Sequence, residues 1–170
     1  MAKDGTSLEM WCKICDHFVN ESTKHCGKCN ICCLDFDHHC EWVNNCVGYS
    51  NYRSFYRLIW VYLLFLTLNI GIAIWAIAEC TLRGSTGLLV LTCVELAVGV
   101  ITLCYTVELI RFHKCLQAKN LTTYEWVVFT RLKDSMKEEV KNGIVSEERF
   151  DEWIKTYFDK SKKVQSKTIV

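Results

Sequence analysis

The chain has 170 residues, 51% hydrophobic and 23% charged, with 12 cysteines, five histidines and no proline. That apolar content excludes a largely disordered chain, and a formal net charge of +1 argues against nucleic acid as the main partner, because phosphate binding needs a strong basic excess. The length suits one ordinary domain, or two small ones beside a membrane segment. Residues 1–10, MAKDGTSLEM, contain no apolar core, so no cleavable signal peptide is expected and the cysteines are expected to be reduced.

Charge and cysteine content divide the chain into three zones. Residues 1–57 hold eight of the cysteines and four of the histidines, residues 58–110 carry only Arg83 against Glu79, Glu95 and Glu108, and residues 111–170 have a basic excess. The expected organisation is a cysteine-rich domain over 1–57, two membrane helices over 58–110 and a tail over 111–170. No internal repeat is apparent beyond the cysteine spacings.

Within the first zone, Cys12-x2-Cys15 is followed by His25-Cys26-x2-Cys29-x2-Cys32-Cys33, then Asp37-His38-His39-Cys40, and finally Cys46. A Cys-x2-Cys knuckle presents two thiolates on one turn toward a tetrahedral ion, and two knuckles with interspersed histidines signal zinc. Two tetrahedral sites use eight ligands, yet eight cysteines and four histidines are present, so four side chains are left over. An unligated cysteine beside an unligated histidine is a nucleophile beside a base. Cys40, adjacent to His38-His39 and three residues after Asp37, fits that description; spacing alone equally allows Cys40 to complete a zinc site.

Leu58–Ala78 and Leu88–Ile110 are apolar runs of 21 and 23 residues, each long enough to cross the roughly 30 Å hydrocarbon core as a helix. The segment 79–87, with Gly84 and Gly87, is expected to be a short link on the far side. Arg53 and Arg57 before the first run, and Arg111, Lys114 and Lys119 after the second, place both termini in the cytosol and the link in the lumen. The sequons at Asn20 and Asn120 are then expected to stay unglycosylated. Glu95, inside the second run, is expected to bond a neighbouring helix through Asn69. Cys115, just beyond the second run, is a further candidate for acylation. In the tail, Thr122-Thr123-Tyr124-Glu125 reads as a capping box. It is followed by an apolar spacing at Val128, Leu132, Met136 and Val140, and then by a helix after Ser146 with Phe150, Trp153, Ile154, Tyr157 and Phe158 on one face, expected to pack onto the domain.

The run Asp37-His38-His39-Cys40-Glu41-Trp42-Val43-Asn44-Asn45-Cys46-Val47-Gly48, with Asn51 and Phe55, resembles the DHHC family of protein S-acyltransferases (palmitoyltransferases). The likeness covers the cysteine spacing from Cys12 and resumes at Thr122-Thr123-Tyr124-Glu125, similar to the family's Thr-Thr-x-Glu motif. The resemblance implies an α-helical integral membrane protein with a small zinc-stabilised domain of short hairpins and loops. It implies two structural zinc ions, one held by Cys12, Cys15, His25 and Cys32, the other by Cys26, Cys29, His39 and Cys46. It leaves Cys40 as nucleophile, with His38 as base and Asp37 orienting it; Thr122, Thr123 and Glu125 form the structural motif. The implied reaction moves a long-chain acyl group from acyl-CoA, such as palmitoyl-CoA, through Cys40 to cysteines of membrane-associated proteins, at endoplasmic reticulum or Golgi membranes. The family usually has proline after the catalytic cysteine, where this chain has Glu41, and usually has two spans before the cysteine-rich region. The alternative expectation is therefore a weakly active or inactive zinc-binding membrane adaptor.

Overall fold

The computed structural model describes residues 9–166, with side chains described over 10–159. Six short strands are followed by four helices: β1 (Glu9–Cys12), β2 (His17–Asn20), β3 (Lys24–Cys26), β4 (Ile31–Cys33), β5 (His38–Cys40), β6 (Asn45–Val47), α1 (Tyr52–Arg83), α2 (Thr86–Lys119), α3 (Thr123–Lys141) and α4 (Glu147–Ser166). The chain forms two compact units, residues 53–114 and, separately, residues 1–52 with 115–170.

The unit of residues 53–114 is an antiparallel helical pair. Gly84 at φ +67° and Ser85 are all that separate α1 from α2, so the turn is tighter than the link expected from the sequence. The buried residues of α1 include Ile59, Leu66, Ala73 and Cys80, spaced by seven. On α2 the buried Thr92, Thr106 and His113 keep the same period, with Gly99 between them lying 3.4 Å from Ile70 when a Cβ is added. A seven-residue seam is the signature of left-handed helix pairing, with small residues admitting close approach. Thr92 and Thr106 return their hydroxyls to carbonyls of their own helix, which satisfies them without water. Off the seam, large apolar side chains are exposed, among them Leu58, Val61, Leu64, Leu68, Ile72 and Trp75. Both helices are long and apolar enough to cross a membrane. Asn69 and Glu95 line one crevice with Ile70, Ala73, Leu96 and Gly99. The Asn69 amide, however, donates to the Phe65 carbonyl of its own helix rather than to Glu95, because the i−4 carbonyl is always within its reach.

The other unit is built of three hairpins, β1–β2, β3–β4 and β5–β6, together with α3 and α4. The hairpins reveal a repeat that the sequence reading missed. Their registers pair Cys12 with His17, Cys26 with Ile31 and Cys40 with Asn45, each across a four-residue loop, at an interval of 14 residues. The last loop residue is left-handed each time: Asp16 at φ 56°, Asn30 at 53° and Asn44 at 45°. Aspartate and asparagine tolerate that region best among non-glycine residues, which explains their recurrence there. Cys33 falls at the position of Val19 and Val47, so it fills an apolar strand site.

Asn120, at φ +52°, ends α2, and the Leu121 amide turns back to the Leu116 carbonyl. Thr122 then caps α3: its hydroxyl accepts from the Glu125 amide, and the Glu125 carboxylate accepts from the Thr122 amide. Phe129 is the buried centre of α3, against Trp126, Trp153, Tyr157 and Phe158. The aromatic face of α4 thus packs on α3, and the Tyr157 hydroxyl donates to the Glu125 carbonyl. Leu132, on the four-residue apolar spacing of α3, is exposed. Four-residue steps drift about 40° per step around a helix, and the stripe that packs runs through Phe129 instead.

Candidate metal centres and active site

Each knuckle is served by the hairpin that follows it. Strand register pairs His25 with Cys32, and these two side chains meet the Cys12–Cys15 knuckle; His39 pairs with Cys46, and these meet Cys26–Cys29. Within each set, all four ligand atoms lie within 4.8 Å of one another. Cys15 Sγ is 3.2 Å from His25 Nδ1, 3.6 Å from Cys32 Sγ, and Cys32 Sγ is 3.8 Å from the same nitrogen. In the second set His39 Nδ1 lies 3.3 Å from Cys29, 3.7 Å from Cys26 and 3.9 Å from Cys46. Zinc–sulfur bonds of about 2.3 Å in a tetrahedron put neighbouring sulfurs about 3.8 Å apart, so both Cys3His sets fit zinc.

The electrostatics agree. Backbone amides of Cys15 and Ile14 hold Cys12 down at about 7, whereas burial, followed by the thiols of Cys12 and Cys15, pushes Cys32 up to about 12. In the second set burial acts on Cys26 against its own knuckle amides and the Cys46 and Cys29 thiols, which win and lower it, while burial and the Cys26 and Cys29 thiols raise Cys46. Three thiolates are not stable side by side without a cation; a divalent ion removes the conflict.

Cys40 belongs to neither set. In β5 the side chains alternate, so His39 points to the second metal centre while His38 and Cys40 share the other face of the strand. Cys40 is buried, at 7% exposure. His38 Nδ1 lies 2.7 Å from Asp37 Oδ2, which fixes Nδ1 as the protonated nitrogen and Nε2 as the acceptor. Asp37 is 3% exposed; its amide donates to the Val47 carbonyl, and its Oδ1 accepts from the Thr123 amide at 2.8 Å. Burial pushes the Asp37 carboxyl up, but the His38 bond and then the Thr123 bond outweigh it and hold the carboxyl below its ordinary range. The aspartate therefore stays ionised, at the positive end of α3.

Two supports were not evident from residue spacing. A Cβ on Gly48 would sit 2.5 Å from Cys33 Sγ and 2.8 Å from the Leu34 carbonyl oxygen, so β6 approaches the preceding segment only through glycine. Asn51 accepts from the Gly48 amide and donates to the Cys46 carbonyl, tying the ligand Cys46 to the start of α1. Both positions lie inside the motif that carried the resemblance, which was the available signal. Glu41, where the family usually has proline, forms an exposed ion pair with Lys28 in the second knuckle.

A buried carboxylate bonded to an imidazole, beside a cysteine outside both candidate metal sets and on a chain with two membrane-length helices, defines a class: membrane proteins with a small cysteine- and histidine-rich domain suited to metal. The family model described as DHHC palmitoyltransferase matches residues 6–129, which include both metal sets, Asp37 to Cys40, both long helices and the start of α3. Relatives include "Probable protein S-acyltransferase 20" of Arabidopsis thaliana, 32% identical over 85% of this chain and 24% of its own length. "Palmitoyltransferase ZDHHC15A" of Danio rerio is 32% identical over 74% of the chain and 39% of its own length, and human "Palmitoyltransferase ZDHHC18" is 40% identical over 68% and 31%. The chain belongs to the DHHC palmitoyltransferase family and is a membrane protein. It spans between about a quarter and two-fifths of the length of these relatives.

Proposed function

We propose that the protein is an S-acyltransferase that carries a long-chain acyl group on Cys40 and hands it to cysteines of membrane-associated proteins. The observation that carries this reading is the Asp37–His38 bond at 2.7 Å on the strand face of a cysteine outside both metal sets. His38 Nε2 takes the Cys40 proton while Asp37 holds the ring and stabilises the imidazolium. The Cys40 thiolate attacks the acyl-CoA carbonyl; the bond to the CoA sulfur breaks, and the CoA thiolate leaves with the proton from His38. In the second half, His38 deprotonates the acceptor cysteine, its thiolate takes the acyl group, and Cys40 leaves as thiolate. One thioester replaces another, so the site has mainly to position and deprotonate. Cys12, Cys15, His25 and Cys32 would hold one zinc and Cys26, Cys29, His39 and Cys46 the other; each ion, with four protein ligands, braces the fold and keeps no open position.

In this reading residues 1–57 and 111–170 lie in the cytosol, residues 58–110 cross the membrane twice, and the compartment is the endoplasmic reticulum or Golgi, as the family resemblance implies. Cys40 precedes α1 by only twelve residues along the chain, so the thiol works within reach of the membrane that holds both donor and acceptor.

Labelling with an alkyne fatty acyl-CoA tests the assignment. Cys40→Ser should abolish the hydroxylamine-sensitive acyl-enzyme with two zinc ions retained. His38→Ala should keep both ions and slow acylation by roughly 10²- to 10⁴-fold, with the deficit narrowing as pH rises from 7 to 9 and hydroxide replaces the base. His39→Ala should instead lose one ion and activity together. Loss of zinc from Cys40→Ser or from His38→Ala would overturn the roles.

A further inference from the structure

Residues 58–110 carry three carboxylates, and two of them have a cation. Glu79 pairs with Arg83 on α1, and Glu108 pairs with Arg111 on α2. Glu95 has neither an ion pair nor a hydrogen bond among the described residues, and it is exposed. It lies inside the apolar run 88–110, and seven helical residues from Leu88 place it about 10 Å within the hydrocarbon. An acid without a partner at that depth is costly, because lipid chains offer no donor. The crevice that Glu95 lines contains a second acceptor. The Asn69 amide already serves the Phe65 carbonyl, which leaves its side-chain oxygen to accept. The small residues Ala73 and Gly99 line the same crevice, with Ile70 and Leu96 as apolar walls. Small residues let another backbone come close, and two acceptors ask for a donor.

We infer that this crevice is a docking site for a transmembrane helix of the acceptor protein, one that carries a hydrogen-bond donor such as lysine or asparagine at the level of Glu95. Charge selects this occupant. A second copy of the chain would bring another carboxylate and no spare cation, since Arg83 is the one basic residue of 58–110 and Glu79 holds it. The copy's Asn69 amide is likewise engaged. A lipid chain would bring no donor at all. A donor-bearing helix satisfies Glu95 and covers apolar lining in the same contact. The inference rests on the S-acyltransferase reading and narrows its acceptors to proteins with a membrane span and a cysteine just beyond the cytosolic end of that span. The span keeps this cysteine at the membrane where Cys40 works. Glu95 then decides which acceptor stays, and plays no part in loading Cys40.

The test uses full-length protein in phosphatidylcholine liposomes with synthetic leucine-rich peptides of about 20 residues, each with a cysteine beyond one end. Their central residue is leucine, lysine, asparagine or glutamate. Binding is read by fluorescence energy transfer, which needs no acyl group, and acyl transfer from palmitoyl-CoA is read as hydroxylamine-sensitive label on the peptide. The lysine and asparagine peptides should bind about three- to tenfold tighter than the leucine peptide and be acylated in the same order, while the glutamate peptide gains nothing. Glu95→Leu should level the peptides and leave the rate of acyl-enzyme formation unchanged. Glu95→Gln should keep the preference for asparagine and weaken that for lysine. Equal binding of the four peptides to wild type would overturn the inference, as would a preference that survives Glu95→Leu. Slower loading of Cys40 in both Glu95 variants would assign the carboxyl to the enzyme's own packing and overturn it too. So would energy transfer between two labelled copies that Glu95→Leu abolishes, because the occupant would then be a second copy. Absence of any acyl-enzyme in wild type would fail the S-acyltransferase reading instead, with the order of peptide binding still deciding the site.

Discussion

Asp37 makes three hydrogen bonds, and each has a different job. The amide bond to Val47 seats it at the base of the β5–β6 hairpin, Oδ2 orients His38, and Oδ1 meets the first amide of α3. The last of these gives the Thr-Thr-x-Glu segment a role beyond capping: a helix start held by Thr122 and Glu125 aims the Thr123 amide at the carboxylate. This bond can be removed with little else. Thr123 is the first residue of α3, where proline is favoured, and Thr122 already has the extended backbone, φ −80° and ψ 162°, that a following proline demands. Thr123→Pro should therefore keep α3 and both ions while deleting one charge-assisted hydrogen bond, worth about 1.5–3 kcal/mol. Acylation should slow by roughly tenfold or more through loss of His38 orientation, and Thr123→Ala, which keeps the amide, should slow it much less. Equal rates for the two variants would show that the amide does not matter. The sequence made both halves of this contact legible, the capping box and the aspartate beside histidine. It carried no sign that they meet, because 86 residues and two long helices separate them and no local pattern encodes that distance.

At the scale of elements, the short strands explain why small residues matter so much. Three-residue strands contribute few ladder bonds, so each hairpin depends on its metal ligands and on close backbone contact. Gly48 is such a contact, and part of what it touches is backbone. Gly48→Ala should destabilise the hairpin unit by about 1–3 kcal/mol, because the Leu34 carbonyl cannot rotate away as a side chain would. Adding Cys33→Ala should recover only part of the loss, since it relieves the sulfur clash alone. Chemical denaturation followed at the zinc-dependent transition gives the comparison; full recovery in the double variant would place the whole clash at Cys33. The hairpin repeat itself went unread in the sequence for a physical reason. Its frame is set by register and by a left-handed loop residue, while the ligands that catch the eye do not recur in all three hairpins: 14 residues from His25 and Cys32 stand Trp11 and Phe18, and 14 residues from Cys29 stands Val43. On α3 the spacing by four is apolar along Val128, Leu132, Met136 and Val140, yet the ring that α4 covers is Phe129.

The molecule joins two units stabilised by different means, and the difference predicts how it comes apart. In residues 53–114 the helix interiors satisfy their backbone groups within the helix and expose apolar side chains, which lipid or detergent solvates. Neither candidate metal set lies there among the described residues. In the hairpin unit the three two-stranded sheets are each too small to persist alone, and the two ligand sets interlock them: Cys12–Cys15 is closed by the second hairpin, Cys26–Cys29 by the third. With zinc in both sets as proposed, removing one ion should loosen two hairpins, and removing both should loosen all three. The third hairpin carries His38 and Cys40, so the geometry for proton transfer should disappear with the metal even though neither residue binds it. A strong chelator should abolish amide protection over residues 9–47 in hydrogen exchange and leave α1 and α2 protected to within the error of the measurement. The segment at the start of α3 should lose protection in part, because Thr123 loses Asp37 while the Thr122–Glu125 cap and the Phe129 cluster persist. Zinc added back should restore hairpin protection and acylation in the same proportion. Protection retained over 9–47 after both ions are gone would mean that packing, not metal, holds the hairpins.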